Sequence, residues 1–258
     1  MQLSVIIPTK DRPVLLARAL RSVLAQSLPA VEIIVADDGD GRGAAVARGL
    51  GEARVEAFST GGLGQVQART MAVARARGAG IAFLDDDDWW ASPTHLAAMS
   101  AALRRGGLAY ASGRIVREAA GQPDEELSFT AGIDRTSIRH NNLLLVSGIA
   151  YKRRLHAELG PFDDGLAVYW DWDWYLRLAA AGVTFVDCGE RGVRISARPD
   201  TVSAPAQRAA RQAELERLCA KHGLHGIGLK NHESIAVEQQ AEAEAEAAST
   251  RRAPEREP

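Results

Sequence analysis

Four consecutive aspartates, Asp85 to Asp88, close an apolar run that begins at Gly80, and Asp37 and Asp38 close another that begins at Val31. Like charges crowded at a strand end repel one another unless something positive sits among them. Asp also favours turns, so a plain acidic loop is the simple alternative for either group. Four such residues beside Trp89 and Trp90 exceed what a loop needs. Their chemistry suits a hard divalent cation, Mg²⁺ or Mn²⁺, held by one or two carboxylates while a diphosphate supplies further oxygens.

Other residues could serve the same site. Pro8-Thr9-Lys10-Asp11-Arg12 leaves the first apolar run. Thr9 and Asp11 can hydrogen-bond a base or ribose, and Arg12 can meet a phosphate. Asp11 or Arg12 could equally cap a helix that starts at Pro13. Gly61, Gly62 and Gly64 precede a helical pattern that carries Arg69, and a Gly-rich turn at a helix start can approach phosphates. The turn is not a Walker A loop, and no GxGxxG follows the first strand. Trp170 and Trp174 would share a helix face, as an aromatic wall for a ligand or as core. His222, His225 and His232 are candidate ligands, although a lone histidine is more often structural.

The elements that must position these groups can be read from hydrophobic periodicity. Leu3–Ile7, Val31–Ala36, Arg54–Phe58 and Gly80–Leu84 read as strands, and Val14–Gln26, Gly43–Leu50 and Gly64–Arg77 as helices. This alternation predicts an α/β fold with a mostly parallel sheet and helices on both faces. The strands lack polar alternation, as expected when both faces are covered. Ligands of such sheets bind at the carboxyl ends of the strands, which puts both acidic groups on one edge. Further on, Thr94–Arg105 reads as helix, Leu108–Ser112 as strand, Gly121–Glu126 as loop and Ser147–Lys152 as strand. Arg153–Leu159 and Trp172–Ala181 read as helices, Val183–Val186 and Gly192–Ser196 as strands, and Ala204–His222 as a long amphipathic helix. Residues 1–232 are expected to form one domain, with a ligand-binding half at 1–112 and a second half at 113–232. The remainder, 233–258, is low in complexity and reads as a frayed helix passing into disorder.

Composition narrows the class. The chain has 258 residues, 46% of them hydrophobic, enough for a sizeable core. A net charge of −2 gives no basic field for nucleic acid. Cys188 and Cys219 are too few for a disulfide framework and read as free thiols in a reducing compartment. The first residues, MQLSVIIPTKDR, are neither a signal peptide nor a membrane span. The expected location is cytoplasmic, and a peripheral membrane contact is compatible with it.

Five segments in order, SVIIPTKDR, IIVADDG, AFLDDDDWW, GPFDDGL and WDWDWYLRLA, resemble family 2 glycosyltransferases of the GT-A fold, from about Leu3 to Ser203. The resemblance implies a metal-dependent, inverting transfer from a nucleotide-diphospho-sugar, a UDP-sugar being favoured, to an acceptor hydroxyl. Saccharide, lipid-linked sugar, natural product and protein acceptors all remain open. By that match Pro8, Thr9 and Arg12 line the nucleoside, Asp38 with Asp37 reaches the base, and Arg69 lies near the base or diphosphate. Asp85-Asp86-Asp87 matches the DXD motif. Asp87 would ligate Mn²⁺ or Mg²⁺, Asp85 would support it, and Asp86 would face the ribose or diphosphate. Asp88 looks like a supporting or capping residue. Asp171 matches the general base, with Asp173 or Asp171 itself as a helix cap in the plainer reading. The chain departs from the family pattern at Trp170, which replaces the usual Glu, and at Thr70, where Asn is common. No histidine follows the arginine in VRISARPDTVS. Two other readings are a non-catalytic nucleotide-sugar-binding module and a sugar nucleotidyltransferase. The second lacks its Gly-rich basic loop.

Overall fold

Leu3–Thr9 (β1) is buried along its whole length, and so are Glu32–Asp37 (β2) and Gly80–Phe83 (β4). The computed structural model describes residues 1–118, 124–198 and 208–252. β1 pairs in parallel with β2 on one side and with β4 on the other, and β2 pairs in parallel with Val55–Ser59 (β3). Burial on both faces explains why these strands are apolar runs. Glu32 is the exception. Its buried carboxylate accepts from the Ser4 hydroxyl and the Arg77 amide, each at 2.5 Å, and pairs with the Arg77 guanidinium at 3.0 Å. A charge in the sheet is thereby used to hold the turn that leads into β4.

The connecting helices are Pro13–Leu24 (α1), Arg42–Gly49 (α2) and Gln65–Arg75 (α3). α1 starts at a proline and buries Leu16, Ala19, Leu20 and Val23, one helical stripe. α1 and α2 carry the chain outward from β1 to β3 and pack against each other. α3 returns it across the sheet to β4, and the right-handed crossover rule puts it on the opposite face. The chain therefore reverses direction between β1 and β4, and a crevice opens at their carboxyl ends.

The second half completes the same sheet. Trp89–Trp90 (β5), His95–Ala102 (α4), Leu108–Tyr110 (β6), Gly113–Arg117 (β7) and Glu125–Phe129 (β8) follow in the chain. Ile149–Lys152 (β9), Leu155–Leu159 (α5), Trp170–Ala180 (α6), Phe185–Asp187 (β10) and Val193–Ser196 (β11) come next. The main sheet has the order β10-β6-β9-β4-β1-β2-β3. β9 lies antiparallel between β4 and β6, and the other strands run parallel to β1. A smaller sheet, β5-β11-β7-β8, is a feature that periodicity did not predict.

Two expectations change, and one is met over the described residues. Glu125 and Glu126 belong to β8 rather than to a loop, and residues 119–123 lie outside the described residues. The long helix is observed as Arg208–His222 (α7), its expected start at 204–207 also lying outside them. The chain from 233 is not a structureless tail. His232–Arg252 (α8) is helical, Ile235 and Ala236 are buried, and the Gln239 side chain exchanges two hydrogen bonds of 2.9 Å with the backbone of Thr130. Alternating Ala and Glu have high helix propensity, and a short apolar anchor fixes the helix to β8. Residues 253–258 lie outside the described residues.

Candidate active site

A cavity of about 490 Å³ opens at the point where the chain reverses. Its floor is the end of β1 and the acidic turn after β4. The Thr9 hydroxyl donates to Asp86 at 2.7 Å and so bridges the two strand ends. Arg12, at the cap of α1, pairs with Asp87 at 2.8 Å. Arg69 reaches from α3 to Asp85 at 2.5 Å, and its guanidinium also lies 4.7 Å from the centre of the Trp170 ring. Asp88 points away from this row. It accepts from the Ser147 hydroxyl at 2.5 Å and the Ser196 amide at 2.9 Å, tying the acidic turn to β11.

The electrostatics follow from crowding. Burial raises the Asp87 carboxyl to about 6, and the neighbouring charges of Asp85 and Asp86 add to the rise, while Arg12 opposes it. Burial also raises Asp86, against the Thr9 hydrogen bond. Burial, then Asp87 and Asp85, push Asp88 well above the usual carboxylate range. The row is thus an excess of hard oxygen donors, the donor type that suits Mg²⁺ or Mn²⁺. No three His, Cys, Asp or Glu side chains converge on one point among the described residues. These residues fit a cation that takes one or two ligands from the protein and the rest from a bound ligand.

Asp38 lines the same cavity, but Asp37 does not. Asp38 accepts from the Thr60 hydroxyl at 2.5 Å and from the Gly64 amide, and Lys10 lies 3.6 Å away. The turn at Gly61, Gly62 and Gly64, each at positive φ, closes around Asp38. Asp37 corrects the expectation of an acidic pair facing a base. It is fully buried and accepts from the Gly39 and Ala44 amides at 2.9 and 2.8 Å, which fixes the start of α2. Gly43 is small because an added Cβ would lie 2.7 Å from Thr9 and 3.1 Å from this carboxylate. Asp11 likewise serves the backbone, accepting from the Asp40 amide at 3.0 Å from a residue with φ of 57°.

The opposite wall comes from α6. Asp171 lines the cavity and is 6% exposed. Burial raises its carboxyl to about 6, against hydrogen bonds from the Trp172 amide and the Asn142 side chain. Two residues on, Asp173 faces the other way and has no exposed surface. Burial pushes it up too, but hydrogen bonds from His222 and Lys221 and the charge of Arg177 outweigh this and hold it at about 2. Trp170 lines the cavity and packs edge-on against Phe83 and Phe162. Trp174 is core, stacked on His156. Trp90 is also core, whereas half-buried Trp89 carries the Arg18 guanidinium over its ring.

Pro8, Thr9, Arg12, Asp38, Arg69, Asp85, Asp86, Asp87 and Asp171 therefore share one cavity. Sequence reading missed Asn142, Tyr169, Arg211 and Lys230, which also line it, and named His232, a further lining residue, as a candidate ligand. The paired Asn141-Asn142 directly before the apolar run Leu143–Val146 was the available signal. Of the three late histidines, His222 pairs with Asp173 at 2.8 Å, His225 is exposed, and His232 lies against the backbone of Asn142 and Leu144.

Comparison with known proteins decides the family. Residues 4–155 match Glycosyl transferase family 2. The chain is 31% identical over 237 residues to the uncharacterized glycosyltransferase YwdF of Bacillus subtilis (strain 168), covering 90% of this chain and 88% of the relative. The chain belongs to glycosyl transferase family 2.

The transferase also resembles solved structures of the GT-A fold. S. aureus TarS 1–349 in complex with UDP-GlcNAc superposes with a TM-score of 0.61 at 17% identity, over 77% of this chain and 59% of that one. Mannosyltransferase PcManGT from Pyrobaculum calidifontis, in complex with GDP-Man and Mn²⁺, gives 0.61 at 20% identity, over 85% and 63%. The transferase thus spans about three fifths of the length of these structures. Among its described residues no helix is long and apolar enough to cross a membrane.

Proposed function

We propose that this family 2 enzyme transfers a sugar from a nucleoside-diphosphate sugar, with UDP-sugars favoured, to an acceptor hydroxyl by a single inverting displacement. The observation that carries this reading is the pairing of two unlike acidic sites across one cavity. One is the row Asp85 to Asp87 beside Thr9 and Arg12, and the other is the isolated Asp171. The relatives in complex with UDP-GlcNAc and with GDP-Man and Mn²⁺ support the donor class.

Pro8, Thr9, Arg12 and Asp38 hold the nucleoside and its phosphates, and Arg69 sits beside the diphosphate. Asp87, with Asp85 next to it, would hold Mn²⁺ or Mg²⁺, which offsets negative charge on a departing diphosphate. Asp86, bonded to Thr9, faces the ribose or diphosphate. Asp171 takes the proton from the acceptor hydroxyl as its oxygen attacks the anomeric carbon. The bond from that carbon to the diphosphate oxygen breaks, and its electron pair leaves with the nucleoside diphosphate. A carboxyl raised to about 6 is a stronger base than an exposed aspartate and is still ionised at neutral pH.

Release of nucleoside diphosphate from a panel of UDP-, GDP- and dTDP-sugars tests this without a known acceptor, because water can replace the hydroxyl. The expected result is release from one donor, abolished by EDTA and by Asp87→Ala. Absence of any nucleotide-sugar binding by calorimetry with Mn²⁺ present overturns the proposal.

A further inference from the structure

Asp171 sits on a helix, and a helix fixes its backbone but leaves the carboxylate free to rotate. The structure supplies what fixes it. The Asn142 side-chain amide donates to Asp171 Oδ2 at 2.9 Å, and the Asn142 Oδ1 accepts the Leu144 amide at 3.2 Å. With both ends of the amide engaged, turning it over would face oxygen to carboxylate and NH₂ to N–H. Asn142 therefore presents its donor to Asp171 in one sense only.

The segment that carries Asn142 is itself held. The His232 ring, at the start of α8, lies against the backbone of Asn142 and Leu144, and its neutral imidazole has one N–H to offer a carbonyl there. Phe129 meets that ring edge-on at 5.3 Å, so β8 and α8 fix its plane together. Trp172 Nε1 donates to the Ile138 carbonyl at 2.7 Å and locks α6 to the same connecting segment. Asn142 and His232 both line the cavity.

We infer that Asn142 is the positioning residue for the Asp171 carboxylate, and that His232 keeps Asn142 in place. This rests on the reading of Asp171 as the general base. The other groups that face Asp171 are Arg69 from α3, Tyr169 at the cap of α6 and Tyr175 on α6 itself. Arg69 is engaged with Asp85 and Gln65, which leaves Asn142 as the side chain that aims the carboxylate.

The test measures donor turnover and its pH profile in Asn142→Ala, His232→Ala and His232→Gln beside Asp171→Asn. Asn142→Ala should lower kcat roughly tenfold near pH 6 and less at pH 8, with donor KM within about twofold. The acidic limb of kcat/KM should move to higher pH, because the lost hydrogen bond favours the ionised carboxylate. His232→Ala should move the limb the same way, and His232→Gln, which keeps a donor, should restore part of the rate. Wild-type kcat and an unmoved limb in Asn142→Ala, with Asp171→Asn inactive, overturn the inference. Wild-type turnover in Asp171→Asn overturns the base assignment instead. Should Asn142→Ala lose donor binding in calorimetry, Asn142→Gln, which displaces the amide by one methylene, is read by the same criteria.

Discussion

Asp171 and Asp173 show how little separates a reactive carboxylate from a structural one. They stand two residues apart on α6, so they point to opposite sides of the helix. Asp171 meets two neutral donors, the Trp172 amide and the Asn142 side chain, whereas Asp173 meets the cations Arg177 and Lys221 and the His222 ring. Holding Asp171 ionised when its carboxyl is raised from 3.8 to about 6 costs up to about 3 kcal/mol above pH 6. The native state binds the extra proton, so this stability is lost as pH rises from the unfolded value through the native one. Asp171→Asn should therefore raise Tm at pH 8 and leave it nearly unchanged at pH 4, as calorimetric scans at the two pH values can check. In the native enzyme the acidic limb of kcat/KM should fall near pH 6. A limb well below pH 5 would contradict the assignment. At this scale the sequence disclosed much. That the acidic row, Asp38, Arg12 and Asp171 share one cavity was legible because their neighbours in the chain carry the pattern. Asp37 was misassigned because adjacent aspartates alternate faces on a strand end, and the pattern does not say which one turns inward.

At the scale of elements, the Asp173 cluster joins α6 to the end of α7. Lys221 bridges Asp173 at 2.7 Å and Asp163 at 2.6 Å, while Arg177 pairs with Asp173 along α6 at 2.9 Å. This clamp sets the position of α7, whose Arg211 and Leu215 line the cavity. Asp173→Ala removes the shared partner of Arg177 and Lys221, which both reach solvent, and should cost about 1–2 kcal/mol at pH 7 by denaturant titration. The carboxyl is held at about 2 in the folded state, below its usual 3.8. Its contribution is therefore fully present above pH 3.8 and is lost as pH falls toward 2, so the gap between variant and parent should shrink there. The β1-to-β4 alternation was readable because each element carries its own period. β9 was readable as a strand, but its antiparallel place between β4 and β6 and the smaller sheet were not, since pairing with partners far away in the chain leaves no local signature.

For the whole molecule, α7 and α8 are the wall that makes a crevice into a cavity. Gln239 of α8 is held to the backbone of Thr130, just past β8. Truncation after Glu244 should leave Tm and nucleotide binding unchanged. Truncation after Lys230 removes His232, Ile235 and Ala236, and should lower Tm and weaken nucleotide binding, as scanning calorimetry and titration calorimetry can show. The main sheet runs across residue 112, because β9 enters between β4 and β6.

That insertion has a consequence during synthesis. When β1 to β4 have left the ribosome, the open side of β4 displays unpaired N–H and C=O groups along Gly80–Phe83. Its proper neighbour begins at Ile149, and at about 5–20 residues per second it follows Phe83 by several seconds. In that interval the nascent chain offers an apolar edge that any passing strand could join, so rapid shielding by a chaperone should raise the yield of folded enzyme.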